Sequence, residues 1–200
     1  MSAPETAGGE KTRPSRRADA RRNREAILRA AREAFEADGV LTSLDGIAAQ
    51  AGVGSATLYR NFPTRDDLLA AVMADGITAA LAEADELLHT LGAQAALVEW
   101  IARLTWRLRI WHDLPHCLAT AREGASPVHS ASDPLLTQVG QLLDKSRESE
   151  PDPEGLAHSA IRAEDIYELV LALSWAVDRF GDDETAARRR VAAITAGLFV

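Results

Sequence analysis

Cysteine is almost absent from this sequence. Its single copy, Cys117, can neither close an internal disulfide nor build a zinc cluster by itself. Long apolar runs are missing too: no stretch of about 18 apolar residues offers a membrane span. Met1 to Arg24 is charged and lacks the apolar middle of a secretory signal. Catalytic signatures are equally scarce, with no HExxH, no GxxxxGK[ST] and no nucleophilic Ser or Cys motif. The Gly52-Val53-Gly54 pair is no dinucleotide fingerprint, because no strand precedes it. No segment alternates with period two long enough to argue for a sheet. These absences predict a cytoplasmic, all-α protein that is not an enzyme and needs no cofactor or metal.

What remains is a balanced globular composition, 46% hydrophobic and 26% charged, in 200 residues. That length suits one or two domains with a real core. The net charge of −8 hides an asymmetry. Residues 1–65 carry 11 Lys/Arg against 8 Asp/Glu, whereas residues 66–200 carry 11 against 22. Between Lys11 and Arg32 the ratio is 9 to 2. A basic head on an acidic body suits a polyanion partner for the head alone, and equally a solvated charged tail.

Along the chain, residues 1–18 hold Pro, Gly and charge without periodicity and read as a disordered basic arm. From Arg21 the pattern turns helical, with Ile27, Ala30, Ala31, Ala34 and Phe35 on one face and a stop at Asp38-Gly39. Thr42 with Asp45 three positions on resembles a capping box and opens a short helix. Gly52-Val53-Gly54 breaks it, and a second short helix covers about Ser55–Asn61. Thr64-Arg65-Asp66-Asp67 caps a long helix reaching about Leu91. Further helices are expected near 97–111, where Trp100 and Trp106 lie off the main stripe and point to a central position, and over 115–123, 135–147, 160–180 and 183–198. Loops are expected at Gly124–Pro134 and Ser149–Gly155. The total is about nine helices.

Thr42–Arg65 has the layout of a helix-turn-helix. Ala48 and Ala49 allow a close crossing, Gly52 takes the turn, and Val53 and Leu58 plug the angle between the helices. A short helix so presented fits the major groove. The run Ile27–Met73, with ILRAAREAFEADG, LTSLDGIAAQAGV and ATLYRNFPTRDDLLAAV, resembles the DNA-binding domain of the TetR/AcrR family of bacterial transcriptional regulators. The resemblance is dense over roughly 50 residues, spacing included, and fades after residue 75.

The resemblance implies a homodimer that binds a pseudo-palindromic double-stranded DNA operator, usually as a repressor released by a small-molecule effector. The implied division is a helix-turn-helix domain over 19–66 and an effector-binding and dimerisation domain over 67–200. Ser55, Ala56, Thr57, Tyr59, Arg60 and Asn61 would face DNA, with Leu58 and Phe62 inward. Thr42, Thr64 and Arg65, at helix N-termini, would lie against phosphates. Gly54 stands where the family commonly has a Ser N-cap, so Ser55 is a candidate for either capping or base reading. The arm Lys11–Arg24 either follows the DNA or touches nothing.

In the body, candidate effector contacts are Met73, Trp100, Arg103, Trp106, Arg107, His116 and Tyr167; aromatics suit an apolar or flat ligand, and Arg103 with Arg107 an acidic one. Gly76 is either a bend or a point of close packing. His112, His116 and Cys117 invite a metal reading, which Pro115 opposes by breaking the helix that would align them. Ile161–Phe180 is too apolar for one core, so Tyr167, Val170, Leu171 and Trp175, with Val191, Ile194 and Leu198, are the expected dimer interface. A sealed body would favour a ligand-free DNA protein, and a cavity a sensor.

Overall fold

The structure, a computed structural model, describes residues 16–111, 113–114, 126–149 and 161–196. Among the described residues there are eight helices and no strand. They are α1 (Arg16–Asp38), α2 (Leu44–Gln50), α3 (Ser55–Asn61), α4 (Arg65–Leu91), α5 (Ala93–Leu108), α6 (Pro127–Ser149), α7 (Ala163–Arg179) and α8 (Glu184–Thr195). The helix expected over 115–123 lies outside the described residues, as do His112, His116, Cys117 and Leu198. None of the described helices is long and apolar enough to cross a membrane.

Local chemistry explains the boundaries. Gly39 at φ 83° and Gly52 at φ 69° end α1 and α2 in a region that disfavours residues with a Cβ. Ser43, rather than Thr42, caps α2 by accepting from the Gly46 amide at 3.3 Å. Thr64 and Asp67 form a reciprocal capping box at the start of α4. That helix runs 27 residues, about 40 Å at 1.5 Å per residue, and joins the head to the body.

Two expectations are corrected. Helix α1 begins at Arg16, so the basic segment from Arg16 to Arg21 is helical. Helix α6 begins at Pro127 and passes through Pro134, where a loop was expected. Pro127 needs no amide partner in a first turn. Pro134 removes one internal hydrogen bond, but Ser130, which loses that donor, is exposed to water. Complete burial of Val128 and near-complete burial of Leu135 hold the helix across the proline.

Helix α5 touches α4, α6, α7 and α8 and is the central helix of the body. Trp100 is fully buried there and donates its indole N–H to the Ala80 carbonyl at 2.7 Å. The apolar core continues from Ile27 and Phe35 of α1 through Leu68, Leu69 and Val72 of α4 into the body.

Candidate nucleic-acid interface and effector cavity

Helix α3 is only seven residues long and cannot stand alone. It is held by Leu58 and by Phe62 just beyond its end, both buried, and Arg24 of α1 lies over the Phe62 ring at 4.4 Å. With those two inward, Ser55, Ala56, Tyr59 and Arg60 are exposed, and Thr57 and Asn61 half-buried.

Ser55, Thr57, Arg60 and Asn61 of α3 are engaged within the protein, while Tyr59 is 45% exposed. Ser55 Oγ donates to Asp45 Oδ1 at 2.7 Å, so it does not cap the helix; the N-cap is Gly54, without a side-chain bond. Arg60 Nη2 donates to Thr57 Oγ1 at 2.9 Å. Asn61 Nδ2 donates to the Thr57 carbonyl at 2.8 Å. Arg65 Nη1 donates to the carbonyls of Val40 and Thr42 at 2.7 and 2.6 Å, bracing the turn before α2 from below. Thr64 is exposed beside it, while Thr42 is half-buried.

In the body, a cavity of about 160 Å³ lies where α1, α4, α5 and α6 meet. Val72, Met73, Ile77, Leu104, Leu108 and Leu135 form its buried floor. Arg32, Glu36 and Gly76 form an exposed rim, and Arg107 lines the wall between. Of the residues proposed from sequence, Met73 and Arg107 reach this cavity. Trp100, Arg103, Trp106 and Tyr167 do not line it. Trp106 instead lies under the Arg109 guanidinium at 3.4 Å, and burial pushes the Tyr167 phenol up, against a hydrogen bond with Ser132. A Cβ on Gly76 would meet nothing within 4 Å, so close packing does not require the glycine.

A chain of ion pairs joins this wall to the last helix. Glu83 of α4 accepts from Arg103 Nη1 at 2.7 Å and from Arg107 Nη2 at 3.0 Å. Arg103 also reaches Glu99 at 2.6 Å, and Glu99 holds Arg188 of α8 at 2.7 Å. Desolvation pushes the Glu83 carboxyl up, but the hydrogen bonds and charges of the two arginines outweigh it and leave it below its ordinary value. The hydrogen bond from Arg188 draws the Glu99 carboxyl down as well, over the opposing desolvation. Arg107 Nη1 is buried without a hydrogen-bond partner. No metal-binding cluster of His, Cys, Asp or Glu occurs among the described residues.

The proposed interface residues divide sharply. Val170, Leu171 and Val191 are spent on the protomer's own core, and Tyr167 and Ile194 are half-buried. Trp175 is 53% exposed. Beside it on α7, Leu169 and Ala172 are exposed and Leu173 and Ala176 half-buried, a stripe absent from the expected interface. The signal was present in the i, i+3, i+4, i+7 spacing of those four, but a second apolar stripe on the same helix obscured it.

Residues 27–72 match the family described as bacterial regulatory proteins, tetR family. Residues 92–200 match the C-terminal domain described as transcriptional regulator SbtR-like. No curated protein matches the sequence. Among solved structures, a TetR regulator from Streptomyces coelicolor is 29% identical, with 88% of this chain and 98% of that chain covered and a TM-score of 0.55. Another from Mycobacterium vanbaalenii is 29% identical over 92% and 99% of the two chains, with a TM-score of 0.51. Bacillus subtilis FadR, solved with stearoyl-CoA, shares the fold at 19% identity, covering 85% of this chain and 96% of its own, with a TM-score of 0.59. The chain belongs to the TetR family of DNA-binding transcriptional regulators.

Proposed function

We propose that this regulator is a repressor that binds a pseudo-palindromic operator as a homodimer and releases it when a small molecule fills the cavity. The head comprises about residues 19–66 and the body 67–200. The observation that carries this reading is the cavity's position: its rim includes Arg32 and Glu36 of α1, and its floor belongs to α4 and α5. A ligand there touches the head and the body at once. Arg32 already ties the two, donating to the Val72 carbonyl at 3.3 Å and to Asp75 at 3.4 Å.

On DNA, Arg60 forks onto a guanine and Tyr59 supplies its ring and hydroxyl; Ser55, Thr57 and Asn61 are further base contacts. Thr42, Thr64 and Arg65 lie along the phosphates. The dimer forms through Leu169, Leu173 and Trp175 of α7 with the small residues Ala192 and Ala193 exposed on α8, making a four-helix interface. The two copies of α3 must then sit about 34–36 Å apart, or a multiple of that. A ligand that tilts α4 against α1 changes this spacing, and a coupling of ~1–3 kcal/mol changes operator affinity about 5–150-fold. The test is selection of duplexes from a random pool by the full chain. A recovered palindrome with half-sites one helical turn or a multiple apart supports the reading; enrichment without symmetry contradicts it.

A further inference from the structure

We infer that the cavity selects a compact amphiphile with one acidic group, its apolar part on Ile77, Leu104 and Leu135 and its anion on Arg107. The inference rests on the reading of this cavity as the effector site and specifies its chemistry. Size sets the first limit. At about 160 Å³ the space resembles an apolar cavity of about 150 Å³ that takes a benzene ring, and is too small for a long acyl chain in full extension. Lining sets the second. The floor is apolar, with Trp111 beside it, so the buried part of the ligand carries no polar atoms that would go unpaired there.

Charge sets the third. Two guanidinium groups and one carboxylate border the space among the described residues. Arg107 keeps Nη2 on Glu83 while Nη1 is buried without an acceptor. A buried charged N–H lacking an acceptor is a standing defect that a ligand carboxylate repairs when the guanidinium turns toward the cavity. Arg32, whose contacts at 3.3 and 3.4 Å are long, adds a second positive group at the rim. Glu36 on the same exposed rim offsets Arg32 and solvent screens both, so the half-buried Arg107 decides the charge preference. An amine would instead meet Arg107 with no buried carboxylate free to receive it, because Glu83 is already shared between two arginines. Gly76, whose missing side chain leaves open space at the rim, forms the entrance.

The experiment is calorimetric titration of the full chain with two trios, each an isosteric acid and amide with the amine of the same carbon number: benzoate, benzamide and benzylamine, and hexanoate, hexanamide and hexylamine. In at least one trio the carboxylate is expected to bind about ten-fold or more tighter than the amide, with the amine weakest, as a charge-assisted bond implies. Arg107→Met is expected to bring carboxylate and amide within about two-fold of each other, since the unbranched thioether replaces the apolar stem of the arginine and lacks the charge. Glu83 retains Arg103 in that variant, so its pairing survives. Gly76→Leu is expected to abolish binding of every compound without lowering the melting temperature. Equal binding of carboxylate and amide, preference for the amine, no binding in either trio, or an unchanged carboxylate preference in Arg107→Met each overturns the proposal. Operator affinity separates it from the effector reading, measured on duplex selected by the protein itself. If the carboxylate binds through Arg107 and operator affinity stays the same, the ligand class stands and the switch falls. If benzamide or hexanamide binds as tightly as the acid and releases operator, the switch stands and the class falls.

Discussion

The head and the body store their functional groups in opposite ways. In the head, chemistry lies on the outer face of α3 over a small core, and three of its polar groups are held by internal partners: Arg60 by Thr57, Ser55 by Asp45, Asn61 by a backbone carbonyl. In the body, chemistry lies in a gap beside the core, lined by Arg107, which has a buried donor that no internal partner takes. The contrast has an energetic meaning. DNA must exchange existing hydrogen bonds of α3 for new ones, so each base contact yields a difference rather than a full bond. A ligand of the body fills a vacancy and loses less in exchange.

The comparison breaks most severely at Leu58. It is fully buried, and Leu58→Ala is expected to cost about 2–5 kcal/mol and remove DNA binding, while calorimetry still detects ligand, bound more weakly because Arg32 and Glu36 of α1 form part of the rim. Complete loss of ligand binding would show that the loosened head takes the cavity with it. Arg60→Ala is the sharper probe of the head alone. Operator binding should weaken by about 1–3 kcal/mol with relaxed preference at one base pair, and ligand affinity should not change. Uniform weakening across all sequences would instead make Arg60 a phosphate contact.

Acid titration compares the two regions differently. Glu83 and Glu99 are held below their ordinary value of 4.5, so the stability they confer is present above that pH and is lost as pH falls through their lowered folded values. Both lie in the body, so melting curves below about pH 4.5 should show a falling limb that flattens in the E83Q/E99Q double variant. An unchanged limb in that variant would assign the acid sensitivity to other carboxylates. The smallest effect is expected at Gly76→Ala, where a Cβ meets nothing and helix propensity alone acts. Stabilisation of about 0.4–1 kcal/mol is predicted; destabilisation would mean the glycine serves a bend.

These contrasts also explain what could be seen in the sequence. The head was legible because its residues serve local geometry: a positive-φ Gly52, inward Leu58 and Phe62, and a capping box at Thr64. The spacing of Thr42 to Asp45 pointed to Thr42 as the cap, but Ser43 is an equally competent residue type and the backbone uses Ser43. The role of Arg65 was hidden because its acceptors, Val40 and Thr42, lie more than twenty residues away. In the body, the helices followed from periodicity, but the cavity did not. Its wall combines Arg32 from α1, Gly76 from α4, Arg107 from α5 and Leu135 from α6, which only tertiary crossing brings together. Trp100 and Trp106 attracted attention as aromatics, yet one is core and the other supports Arg109. Pro134 read as a loop because propensity is a local prior, and burial of its neighbours overrides it.

The central claim is that exposed side chains of α3, delivered in duplicate, read sequence. Its most direct measurement is the affinity of the full chain for its selected palindrome against a scrambled duplex of equal length, at fixed physiological salt. The account predicts a ratio on the order of 10³ or more, reduced by Arg60→Ala. Equal affinity for the two duplexes, with binding that vanishes uniformly as salt rises, would contradict it.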